Sequence, residues 1–221
     1  MDMKNRMEAY EGAFQGVLPI RMPVVIRVDG RAFHTLLRKA KRPFDDGFKT
    51  AMDWVALVLM EEIQNARFAY TQSDEVSVLL VDYTRFESEQ WFGGNIQKMV
   101  SISASVASVA FGGWWEQGVF DSRVIPIPER DIVNYFIWRQ RDWERNSIQM
   151  VARTFYSHGE LLGKNCDEQQ EMIFQKGVNW NDYPTHWKRG RVVTKGSVDE
   201  EIPIFSRDRE YIGKFLRIEE D

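Results

Sequence analysis

Apolar residues follow several distinct spacings along the chain, and each spacing predicts a different element. A β-branched run from Met22 to Gly30 predicts a buried strand that presents Asp29 at its carboxyl end. Apolar residues at helical spacing between Pro43 and Gln64 predict a long amphipathic helix. The segment from Ala66 to Asp82 predicts two strands around a tight turn.

The sequence pattern predicts further elements in the middle of the chain. The stretch from Asn95 to Trp115 is rich in small residues and has no acid, which predicts a helix packed closely on a sheet. Phe120 to Pro128 predicts another strand, and residues 5–15 predict a short first helix. The order strand, helix, hairpin, helix, strand predicts an α+β fold. We expect a palm-like (ferredoxin-like) antiparallel sheet with helices on one face.

From Arg130 onward the pattern becomes mainly helical. Residues 189–196, followed by residues 201–208, predict a short hairpin near the carboxyl end. No Pro- or Ser-rich linker separates the two halves. We therefore predict a palm-like catalytic domain at 1–136 and a helical region with a short hairpin at 137–221, packed on the palm.

Composition narrows the class of protein. Hydrophobic residues make up 43% of the chain, which is enough for a substantial core. A single cysteine, Cys166, excludes an intramolecular disulfide framework and a Cys-based zinc site, and it favours a cytoplasmic location. No stretch approaches the roughly 20 apolar residues that span a bilayer, so no membrane partner is expected.

The charge balance bears on nucleic-acid binding. The net charge of -4 disfavours extensive phosphate contact over the whole surface. Two segments nevertheless combine cations with aromatic residues, namely Trp138 to Arg145 and His186 to Arg191. Such segments line a groove for nucleic acid in some proteins, but they are more often solvated faces.

Asp29 and Asp74 are the residues with the clearest chemistry. Each follows a short apolar strand, and neighbouring strands would present both carboxylates at one edge of the sheet. Mg²⁺ is usually held by one or two carboxylates together with substrate phosphates. Gly30 lets the backbone approach an ion, and residues 30–32 offer amide groups to phosphate oxygens. The spacing alone fits a metal site and two ordinary turns about equally well.

Four further positions carry weaker signals. His34 suits either a nucleotide contact or a polar helix start, and Lys98 suits either a triphosphate contact or an ordinary surface position. Asp121 and Arg123 are expected to form an internal ion pair that holds a strand end.

Four motifs occur together in a fixed order. They are RVDGRAFH (27–34), YTQSDEVSVLL (70–80), FDSRVIPIP (120–128) and WRQRDWERNS (138–147). In this order and at these spacings they resemble the tRNA-His guanylyltransferase superfamily. The resemblance implies a polymerase-like palm that adds nucleotides in the 3′-to-5′ direction, and thus a nucleotidyltransferase.

The resemblance also implies the site. Asp29, the Gly30 carbonyl and Asp74 would bind two Mg²⁺ ions, with Asp29 and Asp74 as the catalytic residues. The positions expected to contact the nucleoside triphosphate are Arg27, Asp29, Gly30, Arg31, Ala32, Phe33, His34, Ser73, Asp74 and Lys98. Lys98 matches a family lysine, although its neighbours Asn95 and Gln97 depart from the usual, more basic pattern.

One departure from the family's motifs indicates which branch of the family the chain resembles. The eukaryotic enzymes carry His-Ile-Asn-Asn where this chain has Glu144 to Ser147. That resembles the bacterial and archaeal guanylyltransferase-like branch, which adds templated nucleotides and repairs 5′-truncated tRNA. The residues expected at the RNA end are Trp138, Arg139, Arg145, Asn146, Lys188 and Arg189.

The expected reaction uses ATP to activate the 5′ end of a tRNA and then adds GTP or another templated nucleotide. The resemblance implies a homotetramer. Two alternatives remain open at this point: a non-catalytic palm that binds nucleotide or RNA, and a palm enzyme such as a cyclase that needs nucleotide alone.

Overall fold

The structure is a computed structural model that describes residues 1–85, 87–115 and 117–217. Its strands are β1 (Val24–Gly30), β2 (Ala66–Gln72), β3 (Glu75–Leu80), β4 (Phe120–Pro126), β5 (Arg191–Thr194) and β6 (Ser197–Asp199). Its α-helices are α1 (Met3–Gly12), α2 (Phe33–Leu36), α3 (Asp46–Glu62), α4 (Ile96–Gly112), α5 (Glu129–Ala152), α6 (His158–Leu161), α7 (Cys166–Phe174), α8 (Thr185–Arg189) and α9 (Glu210–Gly213). Short 3₁₀ helices occupy Leu37–Lys39, Trp91–Gly94, Trp180–Asp182 and Lys214–Leu216.

The strands form one six-stranded sheet in the order β4-β1-β3-β2-β5-β6. Each neighbouring pair is antiparallel. The first four strands, with α3 and α4 between them in sequence, follow the β-α-β-β-α-β order of a ferredoxin-like unit. The α+β class and the predicted order of elements are confirmed.

Strand β1 shows how the sheet divides the protein into two layers. Because successive side chains point to opposite faces, Val24, Ile26 and Val28 pack into the core beneath α3 and α4. Val25 lies in the other core, which α5 and the residues after β6 complete. Arg27 and Asp29 continue the Val25 face, so the polar end of β1 points toward the α5 side.

The carboxyl-terminal elements differ from their predicted bounds. Strand β5 pairs with β2, and a two-residue turn connects it to β6. The second arm predicted at 201–208 is wrong, since β6 ends at Asp199 and Pro203 has no amide to donate to a ladder. The domain boundary predicted between 136 and 137 falls inside α5, and the two-domain division stays a prediction.

Within the part of the chain that the structure describes, no helix combines the length and apolarity needed to cross a bilayer.

Candidate active site

Asp29 and Asp74 lie side by side at one edge of the sheet. Asp29 is the next-to-last residue of β1, and Asp74 occupies the two-residue turn between β2 and β3. The Gly30 amide donates to the Asp74 carbonyl at 3.0 Å, which ties the end of β1 to this turn. The Ser73 hydroxyl donates to Asp74 Oδ1 at 2.8 Å. The predicted meeting of the two carboxylates is therefore found.

Two further acids flank Asp29 in the register of the sheet. Glu75 on β3 and Asp121 on β4 are its direct partners, so the three side chains share one face. Asp121 lies 3.8 Å from Arg123 Nε, and both side chains are more than half exposed. The predicted ion pair therefore exists, but exposed pairs of this kind contribute little to stability.

Glu75 is the residue that sequence reasoning missed. Its carboxylate is buried and accepts two hydrogen bonds from Arg139, at 2.8 Å from Nε and 2.6 Å from Nη2. Arg27 Nε lies 3.9 Å from Glu75, too far for a hydrogen bond. Tyr135 completes the cluster through Ser77, at 3.0 Å between the two hydroxyl oxygens. The cluster fixes the first residue of β3, next to Asp74.

The electrostatics of the acid pair favour a cation. Burial raises the pKa of Asp74 to about 6, and the charge of Asp29 adds to this rise. Burial also raises the pKa of Asp29, with Asp121 contributing and Arg27 opposing. Carboxylates whose pKa is raised by burial and by neighbouring acids are stabilised in their charged form by a positive charge beside them.

The donor set fits a magnesium ion. Two carboxylates and the neighbouring Gly30 carbonyl are hard oxygen ligands, and Mg²⁺ takes its remaining ligands from water and substrate phosphates. Among the described residues, no three His, Cys, Asp or Glu side chains cluster so as to hold a metal by themselves. The site therefore suits an ion that arrives with a phosphate rather than one held in a closed protein cage.

The turn after β1 is tightly packed. A Cβ on Gly30 would lie 2.5 Å from the Phe33 ring. Phe33 is buried against Phe111 and Phe120, with both ring centroids 5.0 Å away. Its side chain is therefore not available to a ligand, and its expected nucleotide contact stays a prediction for its backbone alone.

Some backbone amides of this turn donate within the protein, and others remain available to a ligand. The Gly30 amide donates to Asp74 as described, and that of Arg31 donates to the Val119 carbonyl at 2.8 Å. The predicted anion site at 30–32 is corrected accordingly, because these two amides are used within the protein. Ala32, in a left-handed conformation, leads into α2, and His34 is exposed in its first turn. The amides that remain available to a ligand lie at the first turn of α2.

Lys98 does not lie near the acid pair within this chain. It occupies the first turn of α4, whereas Phe111, near the other end of α4, packs on Phe33. At about 1.5 Å of rise per residue, Lys98 is roughly 20 Å from that end. Within one chain Lys98 therefore lies away from the site, and its expected triphosphate contact stays a prediction.

The residues expected at the RNA end are in different surroundings. Trp138 and Arg145 are exposed on α5, and Asn146 is half-buried. Arg139 binds Glu75, so its expected contact with RNA is corrected. Lys188 and Arg189 lie on α8, which packs on α5 where the Ser147 hydroxyl donates to the Trp187 carbonyl at 2.7 Å.

Of two cavities in the structure, one adjoins the acid pair and the other does not. A cavity of about 50 Å³ opens beside Ser73, with a lining that combines cations and aromatic rings, among them Lys41, Arg42, Lys49, Phe48, Trp143, Trp187 and Arg191. The larger cavity of about 850 Å³ is lined by residues such as Asn65, Arg85 and Phe215 and contains neither acid. The smaller cavity adjoins the turn that carries Asp74, and at this volume it holds only part of a nucleotide.

The chain was compared with known proteins. The family model described as tRNAHis guanylyltransferase matches residues 4–131, more than half of the chain. The chain belongs to the tRNAHis guanylyltransferase family. Family members are nucleotidyltransferases, so the predicted enzyme class is confirmed.

Solved structures of the guanylyltransferase family agree over nearly the whole chain. A bacterial tRNA(His) guanylyltransferase-like protein in complex with ATP is 39% identical, covering 97% of this chain and 99% of that one, with a TM-score of 0.94. A bacterial structure of the same description in complex with GTP is 37% identical, covering 97% and 98%, with a TM-score of 0.88. A probable tRNA(His) guanylyltransferase of Dictyostelium discoideum is 27% identical, covering 90% of this chain and 86% of the relative. The resemblance to the guanylyltransferase-like branch is confirmed.

Proposed function

We propose that this guanylyltransferase extends the 5′ end of tRNA with templated nucleotides, using ATP to activate the end and GTP or another triphosphate to extend it. The observation that carries the proposal is the pair Asp29 and Asp74, held side by side in a chain of this family. The similar bacterial proteins were solved with ATP and with GTP, which supports both nucleotides as substrates.

In the proposed reaction, a phosphate oxygen of the 5′-monophosphorylated tRNA attacks the α-phosphorus of ATP, and pyrophosphate leaves. The 3′-hydroxyl of the incoming triphosphate then attacks the activated 5′ phosphate, and AMP leaves. Asp29, the Gly30 carbonyl and Asp74 would hold two Mg²⁺ ions. Bound magnesium would neutralise the triphosphate and lower the pKa of the attacking hydroxyl.

The chain's own residues then position the reactants. The amides at the start of α2, with exposed Arg31 and His34, would face the phosphates, and Lys41 and Arg42 beside Ser73 offer further phosphate contacts. Arg139 holds Glu75 through two hydrogen bonds, so the turn with Asp74 keeps one geometry during both transfers. Positioning and charge stabilisation are the main contributions that a protein makes to phosphoryl transfer.

The Glu144 to Ser147 stretch, which differs from His-Ile-Asn-Asn, supports repair of truncated tRNA over the addition that identifies tRNA-His. We expect the enzyme to act in the cytoplasm as a homotetramer.

The test is incorporation of labelled GTP into a 5′-truncated tRNA by the wild-type protein and by Asp29→Ala and Asp74→Ala. Loss of incorporation in both variants is expected, whereas near-wild-type rates in either would exclude the two-metal assignment. Addition opposite a templating C is expected to exceed addition opposite A, and equal addition would exclude templated repair. Product formed from nucleotide without RNA would indicate a cyclase-like enzyme instead.

A further inference from the structure

One face of α5, together with the residue that caps its carboxyl end, carries an aromatic residue and three arginines in line. Trp138, Arg141, Arg145 and Arg153 are separated by three, four and eight residues, which correspond to one or two helical turns. All four are exposed. At about 1.5 Å of rise per residue, the line is roughly 22 Å long.

The line begins beside the acid pair. Arg139, the next residue after Trp138, binds Glu75, the direct sheet partner of Asp29. The Arg139 guanidinium also lies over the Trp138 ring, 4.6 Å from its centroid. The indole is therefore held in place while 54% of the residue stays exposed, as a stacking platform requires.

The line ends at a cavity of about 220 Å³ at the far end of α5. Arg153, His158 and Lys164 line this cavity together with Gln169. Gln169 is buried, and its Nε2 donates to the Lys164 carbonyl at 2.9 Å. Its Oε1 is also buried, and no hydrogen-bond donor reaches it from the described residues. The cavity thus combines cations with an acceptor that needs a hydroxyl or amide donor.

The acids near this face leave it positive. The Asp142 carboxylate is shared by Arg139, at 3.2 Å, and Arg145. Glu168 lies 3.3 Å from Lys164 at the edge of the cavity. Among the described residues, no acid lies within salt-bridge distance of Arg141 or Arg153, and Glu144 interacts with Arg141 through its charge only. The line therefore keeps excess cationic charge from the acid pair to the cavity.

A flat ring, spaced cations and a buried acceptor match the three parts of an RNA strand. We propose that this face of α5 is the path of the substrate RNA leading away from the reacting 5′ end. A base stacks on Trp138, backbone phosphates bind the arginines, and a ribose 2′-hydroxyl donates to Gln169. The proposal rests on the proposed function, because it takes RNA to be the substrate.

The test measures binding of a 5′-monophosphorylated tRNA by fluorescence anisotropy over a series of salt concentrations. The double variant Arg153→Glu/Lys164→Glu is expected to bind RNA at least tenfold more weakly and to reduce the salt slope by about 1 to 2. Trp138→Ala is expected to weaken binding about 5- to 100-fold, whereas Trp138→Phe keeps most of the affinity. In turnover, the Arg153/Lys164 variant raises KM for RNA more than it lowers kcat.

The matched control is Lys195→Glu, in the turn between β5 and β6 at the sheet edge farthest from β4. It removes one exposed cation, and RNA affinity is expected to stay unchanged. Wild-type affinity in the Arg153/Lys164 variant, or an equal loss in Lys195→Glu, overturns the path. A changed oligomeric state of the Arg153/Lys164 variant in light scattering would assign the face to contact between copies, which also overturns it.

The same experiment separates this path from the proposed function. If the α5 variants weaken RNA binding but the wild-type protein transfers no nucleotide to any RNA, the path stands and the proposed function fails.

Discussion

Arg139 binds Glu75 through two nitrogens, at 2.8 and 2.6 Å, one residue after Asp74 in the chain. Both side chains are more than nine-tenths buried. The stability of the folded protein depends on both partners of such a buried pair. If one partner is removed, the other remains as a buried charge with neither solvent nor an opposite charge to stabilise it. The candidate catalytic turn is therefore anchored to α5 as well as to its own sheet.

Glu75→Gln and Arg139→Met are each expected to lower the free energy of unfolding by about 3–5 kcal/mol. The double variant is expected to recover part of this loss, because the Glu75–Arg139 pair is then removed as a whole and only Arg27 loses its acid. Its nucleotidyl transfer stays low, since the anchor next to Asp74 is still missing. Urea denaturation and GTP incorporation measure the two effects. Recovery of activity together with stability would show that the pair has no positioning role.

Asp74→Asn is expected to abolish transfer and yet stabilise the protein. The pKa of Asp74 is about 6 in the folded protein and 3.8 as the reference, so ionisation opposes folding as pH rises through this interval. The free-energy cost of ionising Asp74 in the folded protein is absent below pH 3.8 and complete above pH 6. Above pH 6, replacing Asp74 with Asn removes about 1–3 kcal/mol of this cost. Thermal denaturation in EDTA at pH 4 and pH 7.5 checks this. The stabilisation should be larger at pH 7.5, and a difference that does not change with pH contradicts the argument.

Magnesium-dependent nucleotide binding is expected to weaken as pH falls below about 6. Proton and metal compete for the Asp74 carboxylate, so affinity should fall up to about tenfold per pH unit in that range. Titration with labelled GTP at fixed Mg²⁺ from pH 5 to 8 measures it. Asp74→Asn is the control, and its weak binding should not show the same pH dependence.

Gly30→Ala is expected to destabilise the protein by about 1–3 kcal/mol, since its Cβ would lie 2.5 Å from the Phe33 ring. The turn that carries the proposed Gly30 ligand would shift, and transfer should fall more than the stability loss explains. Gly112→Ala in α4 is the matched control, because a Cβ there meets nothing within 4 Å. Thermal unfolding and GTP incorporation are measured for both variants, and only the Gly30 variant should differ from the wild-type protein. Equal activity in the two variants would contradict a requirement for glycine at position 30.

Much of this arrangement can be predicted from the sequence because it depends on local spacing. Alternation along β1 fixes which residues share a face, and two acids at the ends of adjacent strands meet. Glu75 was missed because its partner Arg139 is 64 residues away, and no local pattern reports that contact. The position of Lys98 could not be predicted for a related reason: helical spacing identifies α4 but not which of its ends lies near Asp29.

The pairing of β2 with β5 also affects the order of folding. Tyr70 pairs with Val192, so β2 is an edge strand until residues more than a hundred positions later have been synthesised. An unpaired edge with apolar residues on both faces is prone to join strands of other chains. A ribosome-bound chain that stops before β5 is therefore expected to depend on chaperones until the last strands complete the sheet.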